Sequence, residues 1–198
     1  MPEFETRDPT APDFWSERFE KSFMPWDRNG VPEDLCRFVA EQEPATVLIP
    51  GCGAGHEAAF FAEAGWDVTA IDFSPAAVAA AKRNLGSWAE CVVEADFFRF
   101  EPGKRPQVVY ERAFLCALPP AMNEAIVARW MDLLPSGGLL AGFFFFGDGG
   151  KGPPFPIAPE RLEALLDAGF ERFEDRPAAD SIPVFAGRER WQVWRRRG

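Results

Sequence analysis

The sequence predicts an α/β fold with a mainly parallel seven-stranded sheet, an antiparallel strand at one edge, and helices on both faces. Three observations support this prediction. Short apolar segments alternate with helix-like segments from residue 46 onward, which is the pattern of βαβ units. The first apolar segment enters a glycine-rich turn at residues 51–55, and the second ends at the acidic residue Asp72. Such features are typical of an open α/β sheet with a crevice at the carboxyl ends of its strands.

The N-terminal forty residues contain helix signals on either side of a loop. Residues 1–12 are polar and dotted with proline, so we expect a frayed start. The predicted helices cover residues 13–21 and 32–41. Asp13 supplies an N-cap for the first helix, and Pro32 suits the first turn of the second. Proline, asparagine and glycine between them favour a loop at residues 22–31.

The rest of the chain alternates between the two kinds of element. Strands are predicted at residues 46–49, 67–71, 91–94, 108–111, 139–146, 170–173 and 190–194. Helices are predicted at residues 57–64, 75–84, 120–134 and 159–168. Ser74 is a favoured N-cap residue and Pro75 suits the first helical position. The last two strands are close in sequence, which is compatible with an antiparallel pair at the end of the sheet.

Length and charge limit the function classes. The chain has 198 residues and a net charge of −10 at pH 7. This length favours one domain, and no linker or repeat divides it, so we expect residues 1–198 to form a single domain. Nucleic-acid binding depends on lysine and arginine contacts with phosphates, so an acidic chain argues against a nucleic-acid partner. The arginines within residues 188–197 form the one basic cluster, which we interpret as a solvated end.

Cysteine and histidine usage indicates neither a metal site nor a disulfide framework. The four cysteines include no C-x-x-C pair, and His56 is the only histidine, so we expect no metal. No N-terminal apolar segment resembles a signal peptide, and the longest apolar segment, residues 139–146, is too short to span a membrane. We therefore expect a cytoplasmic protein with reduced thiols, no membrane partner, and a monomeric or weakly dimeric state.

The glycine turn favours one of two nucleoside ligands. Gly51, Gly53 and Gly55 let the backbone approach a ligand closely, because glycine has no Cβ. A dinucleotide fingerprint, G-x-G-x-x-G/A, would need a small residue where this chain has His56. The spacing G-x-G-x-G instead resembles motif I of the class I S-adenosylmethionine-dependent methyltransferases, although that motif often has an acid where this chain has Ile49. NAD therefore remains an alternative ligand.

Residues that follow each predicted strand are candidates for the crevice. Asp72 ends the second strand, where it would accept hydrogen bonds from the ribose hydroxyls. Asp96 after the third strand would accept a hydrogen bond from the adenine amino group, and Phe97 would lie near the purine. Asp96 as a loop cap and Phe97 as a core residue are alternative interpretations. The other candidates are Phe73, Glu111, Arg112 and the glycine- and proline-rich loop at residues 147–156.

Several segments in order resemble one family more narrowly. They are Asp13-Phe14-Trp15 and the segments at residues 23–27, 47–53, 110–118 and 152–155. Together they are similar to the thiopurine S-methyltransferase family, which includes thiol, thiocyanate and halide methyltransferases. The resemblance runs from about Asp13 to the C-terminus. It implies a Rossmann-like class I methyltransferase fold with S-adenosylmethionine as cofactor and S-adenosylhomocysteine as product.

The resemblance also implies roles for individual residues. Residues 13–42 would cap the cofactor through Trp15 and Trp26, and Arg112 would lie near the substrate sulfur as the catalytic residue. Thiocyanate- and halide-methylating members tend to carry an aspartate–tyrosine pair where this chain has Glu111-Arg112. Trp26 as a core residue and Arg112 as a structural partner of Glu111 or Asp96 are alternatives. We expect the cofactor to contact Trp15, Trp26, Gly51, Gly53, Gly55, Asp72, Phe73, Asp96, Phe97 and Glu111. We expect the substrate to contact Phe14, Phe23, Arg112 and Phe155.

The expected reaction moves a methyl group to a small soft nucleophile, a thiol or thiopurine sulfur. A cation such as Arg112 would lower the pKa of the thiol. A halide, thiocyanate, selenium or tellurium acceptor is an alternative. Another is an NAD-dependent oxidoreductase, although Tyr110 is the sole tyrosine and no Y-x-x-x-K follows it. A non-catalytic protein that binds S-adenosylmethionine is the third alternative.

Overall fold

A computed structural model describes residues 2–198. The helices are α1 (Pro12–Glu20), α2 (Glu33–Glu41), α3 (His56–Glu63), α4 (Pro75–Leu85), α5 (Asn123–Leu133) and α6 (Pro159–Leu166). The strands are β1 (Thr46–Pro50), β2 (Asp67–Asp72), β3 (Val92–Glu94), β4 (Val108–Arg112), β5 (Leu139–Phe145), β6 (Phe170–Pro177) and β7 (Glu189–Arg196). None of the helices within residues 2–198 is both long and apolar enough to cross a membrane.

The strands form one sheet in the order β3-β2-β1-β4-β5-β7-β6. Strands β1 to β5 pair in parallel, whereas β7 is antiparallel to both β5 and the outermost strand β6. The predicted seven-stranded, mainly parallel sheet with antiparallel pairing at one edge is confirmed. The strand order reverses direction between β1 and β4, and this switch point is where an open α/β sheet forms its crevice.

Side chains of the strands alternate between two apolar layers. On β4, Tyr110 belongs to the layer packed under α2, α3 and α4, together with Phe61 and Trp191. Its neighbour Val109 belongs to the opposite layer under α5 and α6, which also contains Trp130. Helices therefore cover both faces of the sheet, as predicted. The same alternation places the side chains of Glu111 and Arg112, at the end of β4, on opposite faces of the sheet.

The starts of helices α1 and α5 differ from the predicted starts. Helix α1 begins at Pro12 with Ala11 at the N-cap, so Asp13 lies in the first turn and is not the N-cap. The helix predicted from residue 120 starts with a 3₁₀ turn at Pro120–Met122 before α5. The Ser74 cap is confirmed, because its hydroxyl accepts a hydrogen bond from the backbone N–H of Ala77 at 3.2 Å.

Residues 4–10 are held in place, whereas a frayed start was predicted for residues 1–12. Met1 lies outside the described residues. The carboxylate of Glu17 on α1 accepts hydrogen bonds from the backbone N–H groups of Glu5 at 2.8 Å and Thr6 at 3.0 Å. These bonds give the extended segment fixed partners, which polar composition alone does not reveal. The segment consequently lies against α1, next to the crevice.

Candidate active site

A cavity of about 550 Å³ lies at the carboxyl ends of β1, β2 and β4. Its lining combines the glycine loop after β1, the residues that follow β2 to β4, and the N-terminal segment. The predicted site residues that line it are Phe14, Trp15, Phe23, Trp26, Gly51, Gly53, Gly55, Asp72, Phe73, Asp96, Phe97 and Arg112. The fold thus brings into one cavity residues that are separated by up to about half of the chain.

The three glycines of the loop share a backbone conformation, but their surroundings differ. All have positive φ angles, +59° at Gly51, +53° at Gly53 and +79° at Gly55, which only glycine adopts without cost. A Cβ at Gly55 would come 2.6 Å from Leu85 of α4. A Cβ at Gly53 would meet only the ring of Phe19, at 3.7 Å. Gly55 is therefore required by helix packing, and Gly53 is the position with open space on the cavity side.

Asp72 is held at the end of β2 by the loops on either side. Its carboxylate accepts hydrogen bonds from the N–H of Gly53 at 3.1 Å and the N–H of Ser74 at 2.9 Å. Only 8% of the residue is exposed. Burial raises the pKa of Asp72 to about 6, although the backbone hydrogen bonds oppose the shift. The carboxylate keeps further acceptor capacity for hydroxyl groups in the cavity.

The N-terminal segment supplies an aromatic wall. Trp15 and Trp26 meet edge to face with ring centroids 5.3 Å apart, and Trp15 Nε1 donates a hydrogen bond to the carbonyl of Pro9 at 2.8 Å. Phe14 is buried, and the guanidinium of Arg18 lies over its ring. These contacts orient rings from α1 and from the loop that follows it, and the rings form the apolar side of the cavity.

Asp96 and Phe97 fit both interpretations made from the sequence. Asp96 accepts a hydrogen bond from the N–H of Phe98 at 2.9 Å, so it caps its own loop. Phe97 is 5% exposed and its ring packs against Phe98 and Phe114, with centroids 5.4 and 4.9 Å apart. Both residues nevertheless line the cavity. The structural roles therefore do not remove them from the site.

Arg112 ends β4 and has acidic partners that the sequence did not indicate. Its Nη1 donates a hydrogen bond to Glu189 of β7, and its Nε lies 3.9 Å from Glu57 Oε1 on α3. Its guanidinium also lies 4.6 Å from the ring centre of Phe143. The alternative interpretation paired Arg112 with Glu111 or Asp96, but its hydrogen-bond partner is Glu189, near the other end of the chain.

Glu111 and Phe155 were expected in the site, but neither is among the described residues that line the cavity. Glu111 is 1% exposed, and its Oε1 accepts hydrogen bonds from the N–H groups of Phe114 and Leu115, both at 3.0 Å. Burial raises its pKa to about 7. It points to the opposite face from Arg112 because side chains alternate along β4. Phe155 instead packs against Gly152, where a Cβ would come 2.5 Å from its ring.

Other cavity residues were missed by the sequence reasoning. They include Phe4, Arg7, Thr10, Asp27, Glu57 and Tyr110. Glu57 lies in the first turn of the helix that follows the glycine turn. Tyr110 stands two residues before Arg112 on the same strand, so alternation would have indicated it. His56 Nε2 lies 3.5 Å from Asp27. Within residues 2–198, no group of three or more His, Cys, Asp or Glu side chains is arranged to hold a metal ion.

Comparison with known proteins decides between the ligand classes. The family model described as thiopurine S-methyltransferase matches residues 10–197. The chain belongs to the thiopurine S-methyltransferase family. Thiocyanate methyltransferase 1 of Arabidopsis thaliana is 26% identical, over 92% of this chain and 84% of that protein. A thiopurine S-methyltransferase of Pseudomonas paraeruginosa is 27% identical, over 87% of this chain and 88% of that protein.

Solved structures share the fold of this family member. The 1,6-didemethyltoxoflavin-N1-methyltransferase of Burkholderia thailandensis, solved with S-adenosylhomocysteine, has a TM-score of 0.76 and 19% identity, covering 100% of this chain and 94% of its own. Magnesium protoporphyrin IX methyltransferase of Synechocystis PCC 6803, with bound S-adenosylmethionine, has a TM-score of 0.73 and 16% identity, covering 98% of this chain and 100% of its own. The predicted Rossmann-like class I methyltransferase fold is confirmed.

Family membership makes the chain a methyltransferase that uses S-adenosylmethionine. The cavity fits this cofactor on physical grounds. Asp72 offers a buried carboxylate, Gly53 leaves its Cβ side open, and the aromatic wall provides apolar surface for a purine. An oxidoreductase using NAD was the alternative from the glycine turn, and family membership does not support it.

The affinity for S-adenosylmethionine is expected to fall as the pH drops through about 6, the raised pKa of Asp72. If Asp72 binds hydroxyl groups of the cofactor, its carboxylate accepts their hydrogen bonds above this pH, whereas below it the protonated group loses acceptor strength. The dissociation constant should rise by up to about tenfold per pH unit below the pKa. Calorimetric titrations between roughly pH 5 and pH 8 measure this. The Asp72→Asn variant should lack the dependence, and a flat profile in the unmodified enzyme would contradict the role of Asp72.

Proposed function

We propose that the enzyme transfers a methyl group from S-adenosylmethionine to the sulfur of a small apolar thiol or thiopurine. The observation that carries this proposal is the single cavity lined both by Asp72 after β2 and by Arg112 after β4. One end suits a nucleoside and the other suits a polarizable acceptor. The names of the relatives, thiocyanate methyltransferase and thiopurine S-methyltransferase, support acceptors of this soft class.

For the cofactor, we propose that Asp72 binds the ribose hydroxyls and Asp96 the adenine amino group. Phe73 and Phe97 would contact the purine, and Gly51, Gly53 and Gly55 would bring the backbone close to the cofactor. Residues 13–42 would form a cap, with Trp15 and Trp26 covering the bound molecule and excluding water. The sulfonium of the cofactor supplies an electrophilic methyl group, so the protein's main task is to orient the acceptor.

For the acceptor, we propose contacts from Phe14, Phe23 and Arg112. The apolar rings favour a polarizable acceptor over a hydrated one, and the guanidinium stabilises negative charge on sulfur. The loop at residues 147–156 would form a rim of the acceptor site, with Phe155 supporting Gly152 from behind. We also propose a single-domain enzyme acting in the cytoplasm as a monomer or weak dimer, and its net charge of −10 argues against a nucleic-acid partner.

Calorimetry and an acceptor screen test this function. S-adenosylmethionine and S-adenosylhomocysteine should bind, whereas NAD should not. Methyl transfer should then be detected by mass spectrometry with thiols and thiopurines, in parallel with thiocyanate, halides and chalcogen oxyanions. Transfer to thiols would support the proposal. Transfer confined to the inorganic anions would overturn the acceptor class, and tight cofactor binding without any transfer would indicate a non-catalytic binding protein.

A further inference from the structure

The cavity contains a polar cluster that the cofactor contacts do not use. Tyr110 and Arg112 lie two residues apart on β4, so both face the layer covered by α3. Glu57 lies in the first turn of α3, and its Oε1 is 3.9 Å from Arg112 Nε. All three residues line the cavity. The Glu57 side chain is only 15% exposed, so this carboxyl group is largely shielded from solvent.

Two hydrogen-bond donors of the cluster are buried and have no acceptor among the described residues. Arg112 Nη2 and Tyr110 Oη have no hydrogen-bond partner within residues 2–198. Buried polar groups in native proteins are nearly always paired, so these two donors beside the cavity are available to a molecule that binds there. Glu57 is also incompletely engaged, because 3.9 Å exceeds hydrogen-bond distance. The cluster therefore offers two hydrogen-bond donors and one proton acceptor to whatever enters.

The charge of the cluster disfavours an anionic acceptor. Arg112 is already paired with Glu189, whose side chain is 4% exposed and whose Oε2 accepts a hydrogen bond from Ser181 at 2.7 Å. With Glu57 also close, one cation faces two carboxylates. When Glu57 is ionised, these three side chains together carry net negative charge, so an anion placed among them meets repulsion from both carboxylates. A neutral molecule that loses a proton to Glu57 avoids this repulsion.

Resting on the proposed function, we propose that the acceptor enters as a neutral thiol and that Glu57 takes its proton. The S–H bond breaks and the proton moves to the Glu57 carboxylate. The sulfur lone pair forms the new S–CH₃ bond while the methyl–sulfonium bond breaks, and that electron pair stays on the donor sulfur. Arg112 Nη2 and the Tyr110 hydroxyl donate hydrogen bonds to the acceptor sulfur as its negative charge develops.

The surroundings of Glu57 support proton uptake. Burial raises its pKa above the usual range, while Arg112 and the neighbouring His56 oppose the shift. Asp27 raises it slightly further. A raised pKa brings the carboxyl group closer to that of a thiol, which makes proton transfer less unfavourable. Tyr110, Cys52 and Cys116 are further titratable groups of the cavity lining, and burial raises the pKa of all three, so all three stay neutral around neutral pH.

A pair of thiols with different acidity tests the proposal. Benzyl mercaptan is neutral at pH 7, whereas pentafluorothiophenol is ionised and needs no base. The Glu57→Gln variant should lose about 10²- to 10⁴-fold in turnover with benzyl mercaptan. With pentafluorothiophenol it should keep or exceed the rate of the unmodified enzyme, because removing the Glu57 carboxylate also removes its repulsion of the anionic acceptor. The Glu57→Asp variant, which keeps a carboxylate, should recover part of the lost rate. Glu63→Gln, at the exposed end of the same helix, is the matched control and should match the unmodified enzyme with both thiols.

A pH profile supplies a second readout. At saturating S-adenosylmethionine, turnover of the unmodified enzyme with benzyl mercaptan should fall at acidic pH, because a protonated Glu57 carboxyl group takes no proton from the thiol. The Glu57→Gln variant should lack this acidic limb. Calorimetry with S-adenosylhomocysteine verifies that each variant is folded and binds the product, with an affinity within about threefold of the unmodified enzyme.

The possible outcomes separate this inference from the proposed function. If the unmodified enzyme methylates neither these two thiols nor any thiol or thiopurine of the acceptor screen, the proposed function fails and the role of Glu57 fails with it. If the unmodified enzyme is active but Glu57→Gln is impaired equally with both thiols, only the role of Glu57 is overturned. The same conclusion follows if Glu57→Asp loses as much as Glu57→Gln with benzyl mercaptan, or if the acidic limb of the pH profile persists in Glu57→Gln.

Discussion

Replacing Asp72 with asparagine is expected to weaken S-adenosylmethionine binding about 100-fold. A hydrogen bond to a charged group contributes about 1.5–3 kcal/mol, and each 1.4 kcal/mol changes a dissociation constant about tenfold. Asp72 is buried at the end of β2 and lines the cavity. Asparagine keeps one acceptor oxygen but loses the charge, and its amide nitrogen would face an N–H donor, that of Gly53 or Ser74.

Calorimetric titration of the purified variant with S-adenosylmethionine measures the loss. Asp67→Asn is the matched control, because Asp67 begins the same strand at the opposite end and its side chain is 50% exposed. Its affinity should equal that of the unmodified enzyme. Thermal unfolding of both variants separates a local effect from a disturbed glycine loop. Unchanged affinity in Asp72→Asn would remove Asp72 from the cofactor site.

Much of the fold follows from local sequence signals. Alternating strand and helix segments predicted the sheet, and Ser74-Pro75 correctly marked the start of α4. The rule that ligands bind beyond the carboxyl ends of parallel strands placed Asp72, Asp96 and Arg112 along one edge, and all three line the cavity. These features depend on short-range chemistry, which a single sequence contains.

The errors arise where side-chain direction or distant contacts decide. Glu111 and Arg112 are adjacent after the same strand, but alternation sends them to opposite faces of the sheet. The partner of Arg112 is Glu189, separated from it by 77 positions, and the β4–β5 and β5–β7 pairings together bring them close. The segment at residues 4–10 is held by Glu17 through backbone hydrogen bonds, which its polar composition does not predict.

The Arg112–Glu189 pair offers a test that separates stability from catalysis. Arg112→Met leaves Glu189 buried without its cation, so the free energy of unfolding should fall by about 3–5 kcal/mol. Turnover with a thiol should fall about 10²- to 10³-fold, because the site loses a donor to the developing charge. Affinity for S-adenosylmethionine should remain close to that of the unmodified enzyme. Chemical denaturation, steady-state kinetics and calorimetry measure the three effects on the same preparation.

The double variant Arg112→Met with Glu189→Gln distinguishes the two roles. Glutamine removes the uncompensated charge and still accepts the hydrogen bond from Ser181, so most of the lost stability should return. Turnover should stay low if the guanidinium acts on the acceptor, because no donor has been restored. Recovery of both stability and turnover would instead show that Arg112 serves only to neutralise Glu189.

An exposed ion pair supplies the control for this double-mutant cycle. Arg161 on α6 pairs with Glu124 on α5 at 2.6 Å, with side chains that are 51% and 74% exposed. Exposed pairs contribute about 0–1 kcal/mol, so Arg161→Met and Glu124→Gln should change stability little, alone or together. The two pairs differ in burial. A large coupling energy at Arg112–Glu189 and not at Arg161–Glu124 would therefore show that burial makes the ion pair important for stability. The guanidinium of Arg112 is buried where it faces both carboxylates and the cavity.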